Sequence, residues 1–232
     1  MHSKGTLHFS SVGRNWEIQR PTDLESLWET IANENNRDSF AADERLPYWV
    51  ELWPSSMALA DWIMEHKERI VDKDCLDLGC GLGFTALVGA LTGGAVTGFD
   101  YEPAALHYAR INARINGFSS FETSGPVPVE PFWLVMDWRS PAVRKGSFPV
   151  IWAGDIMYEK RFTRPVAAFL DHALSPDGVM WLAEPGRGIY NDFALALGDY
   201  GFCSERKEER HVTAFEGHAV SVRIWEIYRK ST

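Results

Sequence analysis

Three glycines at alternate positions, Gly79, Gly81 and Gly83 in "LDLGCGLGFTAL", constrain this chain more than any other feature. The residues before them ("CLDLG") read as a short buried strand and those after ("FTALVGALTG") as a helix. Glycine permits the tight turn between the two and lets a ligand approach the backbone with no Cβ in the way. Close packing of a helix on a strand also demands glycine, so the loop alone decides nothing. Asp100 supplies the other half of the pattern. It closes the next strand, "AVTGFD", about twenty residues on, where a carboxylate can take ribose hydroxyls. Loop and acid together point to a nucleoside-bearing cofactor.

The rest of the chain repeats the same alternation. "EPAALHYARINARING" is a helix with Pro103 in its first turn and Gly117 at its end. "FWLVMD", "FPVIWAGD" and "GVMWLAE" read as strands, "RPVAAFLDHAL" and "YNDFALALGDYG" as helices, and the C-terminal stretch as two strands joined by the turn-rich "TAFEGH". Strands alternating with helices and ending in a hairpin predict an α/β, doubly wound, Rossmann-like sheet with an antiparallel edge. Ahead of it, residues 5–19 predict a small hairpin. Thr22 and Glu25 then form a capping box before Leu24, Leu27, Trp28 and Ile31, the spacing of an amphipathic helix. Residues 1–46 are therefore expected to be an N-terminal extension and residues 47–232 the main domain. The stretch "PYWVELWPSS" leads into a helix from Pro54 to about Arg69.

Composition narrows the function. A hydrophobic share of 45% over 232 residues provides a sizeable core. A net charge of −9 argues against unaided binding of a nucleic-acid backbone, so no nucleic-acid partner is expected. The three cysteines lack C-x-x-C spacing and the seven histidines lack metal-ligand spacing, so neither a disulfide framework nor a metal is expected. No signal-peptide core and no run of eighteen apolar residues is present in these 232 positions, so a cytoplasmic protein away from the membrane is the expectation.

Spacing within the loop selects among cofactors. A dinucleotide fingerprint needs its third glycine at position 84, which is Phe84. Asp77 lies just before the loop; a carboxylate repels a pyrophosphate but tolerates the ammonium of an amino-acid ligand. The loop thus favours S-adenosylmethionine over NAD. Residues 74–184 resemble the class I methyltransferases, with the E/D-x-G-x-G-x-G loop and the ribose acid in place. That resemblance implies a seven-stranded sheet of order 3-2-1-4-5-7-6 with an antiparallel last strand, and S-adenosylhomocysteine as product. It also implies a cofactor site made by Asp77, Gly79, Gly81, Gly83, Asp100 and Tyr101. Asp137 would meet the adenine amino group, and Trp138 would pack on the ring.

The acceptor is read from "WAGDIMYEKRF". Methyltransferases acting on base amines commonly carry D/N-P-P-Y/F at this place, whereas Asp155 and Tyr158 here frame Ile156 and Met157. This D-x-x-Y form resembles the seven-β-strand protein lysine methyltransferases, whose members act on electron-transfer flavoprotein β subunit, calmodulin and valosin-containing protein. The upstream Trp53, the "DW" and the "YE" reinforce the likeness over roughly residues 45–190. It implies a protein substrate, with Asp155 orienting a lysine amine and Tyr158 positioning it. Trp53 would border the cofactor, and Tyr48, Trp49, Glu159 and Arg187 would stand at the acceptor entrance. A lysine must be neutral to attack, which costs roughly 4–5 kcal/mol at pH 7. An apolar mouth lowers that cost. Three alternatives remain open: a small amine or heterocycle as acceptor, a cofactor-binding module without catalysis, and contact of Asp155 with the methionine ammonium. The oligomeric state is not legible.

Overall fold

The computed structural model describes residues 5–22, 47–121, 127–215 and 217–230. Its centre is a seven-stranded sheet. The strands are β3 (Asp74–Leu78), β4 (Ala95–Asp100), β5 (Phe132–Val135), β6 (Phe148–Gly154), β7 (Leu174–Glu184), β8 (Phe202–Thr213) and β9 (Ala219–Arg229). They lie in the order β5-β4-β3-β6-β7-β9-β8, which is the expected 3-2-1-4-5-7-6. The first five pair in parallel, while β9 runs antiparallel to both β7 and β8.

The expected antiparallel element is the C-terminal hairpin of β8 and β9. The antiparallel strand is the last in sequence but lies one place inside the edge, and β8 outside it runs with the parallel set. The hairpin turn forces β8 and β9 antiparallel, and side-chain chemistry chooses which lies inside. Val222, Ile224 and Ile227 of β9 are fully buried. "SERKEER" of β8 is largely water-exposed, as suits a strand whose outer edge must not recruit another chain.

Helices cover both faces. α1 (Pro54–Glu65), α2 (Phe84–Leu91) and α3 (Pro103–Ile115) share one core with Cys75, Trp152 and Trp181. α4 (Thr163–Ala173) and α5 (Ile189–Asp199) share the other with Leu76, Ile151 and Leu182. Neighbouring strand residues thus point to opposite cores, which is why the central strands read as unbroken apolar runs and not as alternating ones. Among the described residues no helix is long and apolar enough to cross a membrane.

The N-terminal hairpin, β1 (Thr6–Ser11) and β2 (Arg14–Gln19), is built into the first of these cores. Trp16 and Ile18 are buried there, and the Trp16 ring meets Phe84 edge-on at 5.0 Å. Two asparagines of the α3 end clamp β2. Asn112 Oδ1 accepts from the Gln19 amide at 2.7 Å, and its Nδ2 donates to the Gln19 and Leu82 carbonyls at 3.1 and 3.0 Å. Asn116 repeats the pairing with the Glu17 amide and carbonyl at 3.1 and 2.7 Å. The helix expected over Leu24 to Ile31 and the boundary at residue 46 lie outside the described residues.

Asn112→Ala strands three buried backbone groups at once. It is expected to lower the unfolding free energy by about 2–3 kcal/mol, measured by urea denaturation, and to speed hydrogen exchange at Gln19 before the sheet.

Candidate cofactor and acceptor site

The carboxyl ends of β3 to β6 open into one cleft with about 1150 Å³ of empty space, open to solvent on one side. It lies where the strand order reverses between β3 and β6, the usual ligand position in an open α/β sheet.

The glycine loop forms its floor. Gly79, Gly81 and Gly83 all have positive φ, which a side chain resists. At Gly79 an added Cβ would also lie 2.9 Å from Ile156 Cγ2. The loop's amides face inward to the protein. Those of Gly79 and Cys80 donate to the Phe99 carbonyl at 3.0 and 2.9 Å, that of Gly81 to Asp100 Oδ2 at 2.9 Å, and that of Gly83 to the Cys80 carbonyl at 2.8 Å. Four loop amides ahead of the helix are thus already taken.

Asp100 bridges the loop and the next turn, because its Oδ1 accepts the Glu102 amide at 3.0 Å. Each carboxylate oxygen retains a further lone-pair direction for a hydroxyl. Burial pushes the Asp100 pKa up, and the Glu102, Gly81 and Tyr101 amides oppose that rise.

One wall of the cleft is a chain of rings. Tyr48 lies 4.5 Å from Tyr158, Tyr158 is 5.3 Å from Phe162, and Phe162 is 5.2 Å from Trp138. Tyr48 belongs to a 3-10 turn, Tyr48–Val50, that Trp53 ties down by donating its indole N–H to the Tyr48 carbonyl at 2.9 Å. Pro54 then opens α1 in its first turn, where its missing N–H is harmless. Burial, with Asp100, Glu159 and Tyr48 nearby, pushes the Tyr158 pKa up, so the phenol keeps its proton. Asp155 follows β6 with φ +53 and sits in the same cleft. Its Oδ1 accepts Arg187 Nε at 3.0 Å and its Oδ2 accepts Arg187 Nη2 at 3.1 Å.

The structure gathers Tyr48, Trp49, Trp53, Gly79, Gly81, Asp100, Tyr101, Asp137, Trp138, Asp155, Tyr158 and Glu159 on the cleft wall. Asp77, Gly83 and Arg187 stand off it for separate reasons. Asp77 is buried beneath the loop, its Oδ2 accepting Thr85 Oγ1 at 2.6 Å. Gly83 faces α3, where an added Cβ would lie 2.8 Å from Ala109 Cβ and 2.9 Å from the Trp133 ring. Arg187 reaches the site only through Asp155. The carboxylate of Asp137 is gripped by Arg139, whose Nε lies 3.0 and 2.9 Å from its two oxygens.

Sequence reasoning passed over Arg139, Arg161 and Phe162, which also line the cleft, and Glu184 behind it. Phe162 carried a usable signal, standing four residues after Tyr158. Glu184 carried none, because its partners come together only in the folded chain.

These residues fit S-adenosylmethionine. The cleft offers an acid for two hydroxyls, aromatic faces, a side-chain-free floor and no unused pyrophosphate cradle among the loop amides described above.

Comparison with known proteins agrees. Residues 71–124 match the family described as a methyltransferase domain. The electron transfer flavoprotein beta subunit lysine methyltransferase of Rattus norvegicus is 25% identical over 151 residues, covering 64% of this chain and 54% of that protein. The ribosomal protein L11 methyltransferase of Dechloromonas aromatica is 37% identical over 79 residues, 33% of this chain and 25% of that one. Among solved structures, a SAM-dependent methyltransferase of Methanosarcina mazei superposes with a TM-score of 0.58 at 16% identity, covering 69% of this chain and 94% of that one. The chain spans about half the length of the flavoprotein-modifying relatives it matches. The fold and the glycine loop are similar to those of class I S-adenosylmethionine-dependent methyltransferases, and S-adenosylmethionine is the cofactor that the cleft and these likenesses support.

Two expected outcomes follow from the site. Trp53→Ala frees the Tyr48 turn and removes an aromatic face, so S-adenosylmethionine affinity measured by calorimetry should fall about tenfold in a folded variant. Asp77 concerns stability. Burial pushes its pKa from 3.8 to about 7, opposed by Thr85. Its folded value exceeds its unfolded one, so its contribution is full below about pH 4 and is lost as pH rises through about 7. Asp77→Asn, followed by denaturation across that window, should flatten the decline, by up to roughly 4 kcal/mol.

Proposed function

We propose that this protein transfers a methyl group from S-adenosylmethionine to the Nε of a lysine in another protein. The observation that carries the reading is Asp155 lying in one cleft with the ring wall of Tyr48, Tyr158 and Phe162. Similarity to lysine methyltransferases over about two thirds of the chain supports it. Bound S-adenosylmethionine supplies a methyl carbon on a positively charged sulfur, which an amine lone pair takes while the C–S electrons return to sulfur.

The chain's own residues prepare the amine. Aromatic faces exclude water and disfavour the charged ammonium, moving the lysine toward its neutral, nucleophilic form. Asp155 accepts a hydrogen bond from the amine N–H, which turns the lone pair toward the methyl group. The protonated Tyr158 hydroxyl fixes the lateral position of the amine, and its ring closes the channel. Trp53, Asp100, Asp137 and Trp138 hold the cofactor on the other side. The substrate is then a protein with an accessible lysine, for which electron transfer flavoprotein β subunit is a direct probe.

Incubation with methyl-labelled S-adenosylmethionine, a lysate of the source organism and, separately, purified electron transfer flavoprotein β subunit tests the reading. Label on lysine of a protein band, located by mass spectrometry, is expected. Label confined to the small-molecule fraction would point to a small amine, and no label at all to a binding module. Asp155→Ala and Tyr158→Phe should keep cofactor affinity yet lower transfer by about 10²-fold or more.

A further inference from the structure

The loop between β7 and α5 is locked more firmly than a surface connection requires. Glu184, at the end of β7, is 1% exposed. Its Oε2 accepts the amides of Gly186 and Arg187 at 2.6 and 2.9 Å, and its Oε1 accepts the Trp225 indole N–H from β9 at 3.0 Å. Trp225 in turn stacks on Tyr190 of α5 at 3.9 Å. Gly186 has φ +78, and a Cβ there would lie 3.2 Å from the Arg223 guanidinium. These restraints hold the backbone at Arg187, whose side chain reaches Asp155 with both Nε and Nη2.

The opposite partner is constrained too. Asp155 takes φ +53, a conformation that disfavours most side chains. Its amide donates to the Ala183 carbonyl of β7 at 2.8 Å. The backbone at both ends of this two-pronged ion pair is therefore tied to β7.

We propose that Arg187 is a positioning residue: it neutralises Asp155 and aims its carboxylate, so that the acceptor amine meets a hydrogen-bond acceptor and not an uncompensated anion. This rests on the amine-methylating reading above. Its logic is electrostatic. A lone buried carboxylate beside an amine stabilises the ammonium form, the opposite of what attack on a methyl carbon needs. A carboxylate already paired with a guanidinium has little net charge to offer, yet its outward lone pairs still accept an N–H. The arginine fork fixes the carboxylate plane with two bonds, which a lysine at 187 does not match.

The charged groups bearing on Asp155 are Arg187 and Glu184, with Tyr48 acting on Arg187. Burial pushes the Asp155 pKa up and Glu184 adds to the rise, whereas the Arg187 bonds and charge hold it down. Asp155 raises the Arg187 pKa in return, so the pair stabilises its ionised form from both sides.

The test follows the Asp155 carboxyl ¹³C resonance against pH in the full chain, assigned with Asp155→Asn. In Arg187→Gln the carboxyl is expected to titrate at higher pH than in wild type. Arg187→Lys, which keeps the charge and loses the fork, should shift the same way by less, and it carries the comparison if the glutamine variant does not fold. Titration at the wild-type pH in both variants would overturn the proposal. With an acceptor that takes label, Arg187→Gln should slow transfer at pH 7 by about ten- to a hundredfold. The acid limb of its rate profile should move to higher pH, with cofactor affinity unchanged. An equal fall at every pH would mark a structural effect only and would also overturn it. Failure of every protein to take label would sink the lysine reading, while the carboxyl titration still decides the role of Arg187.

Discussion

The Asp100 carboxylate accepts one amide from the glycine loop and one from the turn after β4, joining the ends of two neighbouring strands through a single side chain. The cleft depends on that junction. It sets the height of the loop above the sheet, and the Phe99 carbonyl beside it takes two more loop amides. With those four donors facing inward, the floor offers shape and carboxylate lone pairs. A ligand with hydroxyls and a positive centre suits such a floor better than one with a pyrophosphate. Cofactor choice in this fold is thus settled as much by where the loop's hydrogen bonds go as by where its glycines stand.

The side of the cleft that holds Asp155, paired with Arg187, is organised by β7. Its terminal Glu184 and the Ala183 carbonyl control the loops that carry Arg187 and Asp155. The ring wall then runs from the Tyr48 turn to Trp138.

Local pattern carried the strands, helices and glycine loop because each is specified by neighbours in sequence: apolar runs, Pro103 opening a helix, glycines at the turn. It carried the cleft-lining role of Trp53, Asp100, Asp137, Trp138, Asp155 and Tyr158 because the carboxyl ends of parallel strands share one edge. Direction was less legible than position. Asp77 and Gly83 belong to the motif, yet one is buried under the loop against Thr85 and the other packs on Ala109. A motif specifies the residue type at a position, and several environments want the same type.

By itself the sequence determined the succession of strands and helices, the glycine loop and the D-x-x-Y pair at the end of the fourth sheet strand, while the strand order rested on the family resemblance. Only the tertiary structure decided that Asn112 and Asn116 weld the hairpin to α3, and that Arg187 pairs with Asp155 across 32 residues. The reason is physical. Periodicity and turn chemistry act over a few residues, whereas these contacts join groups whose separation along the chain carries no energy until the sheet has brought them together.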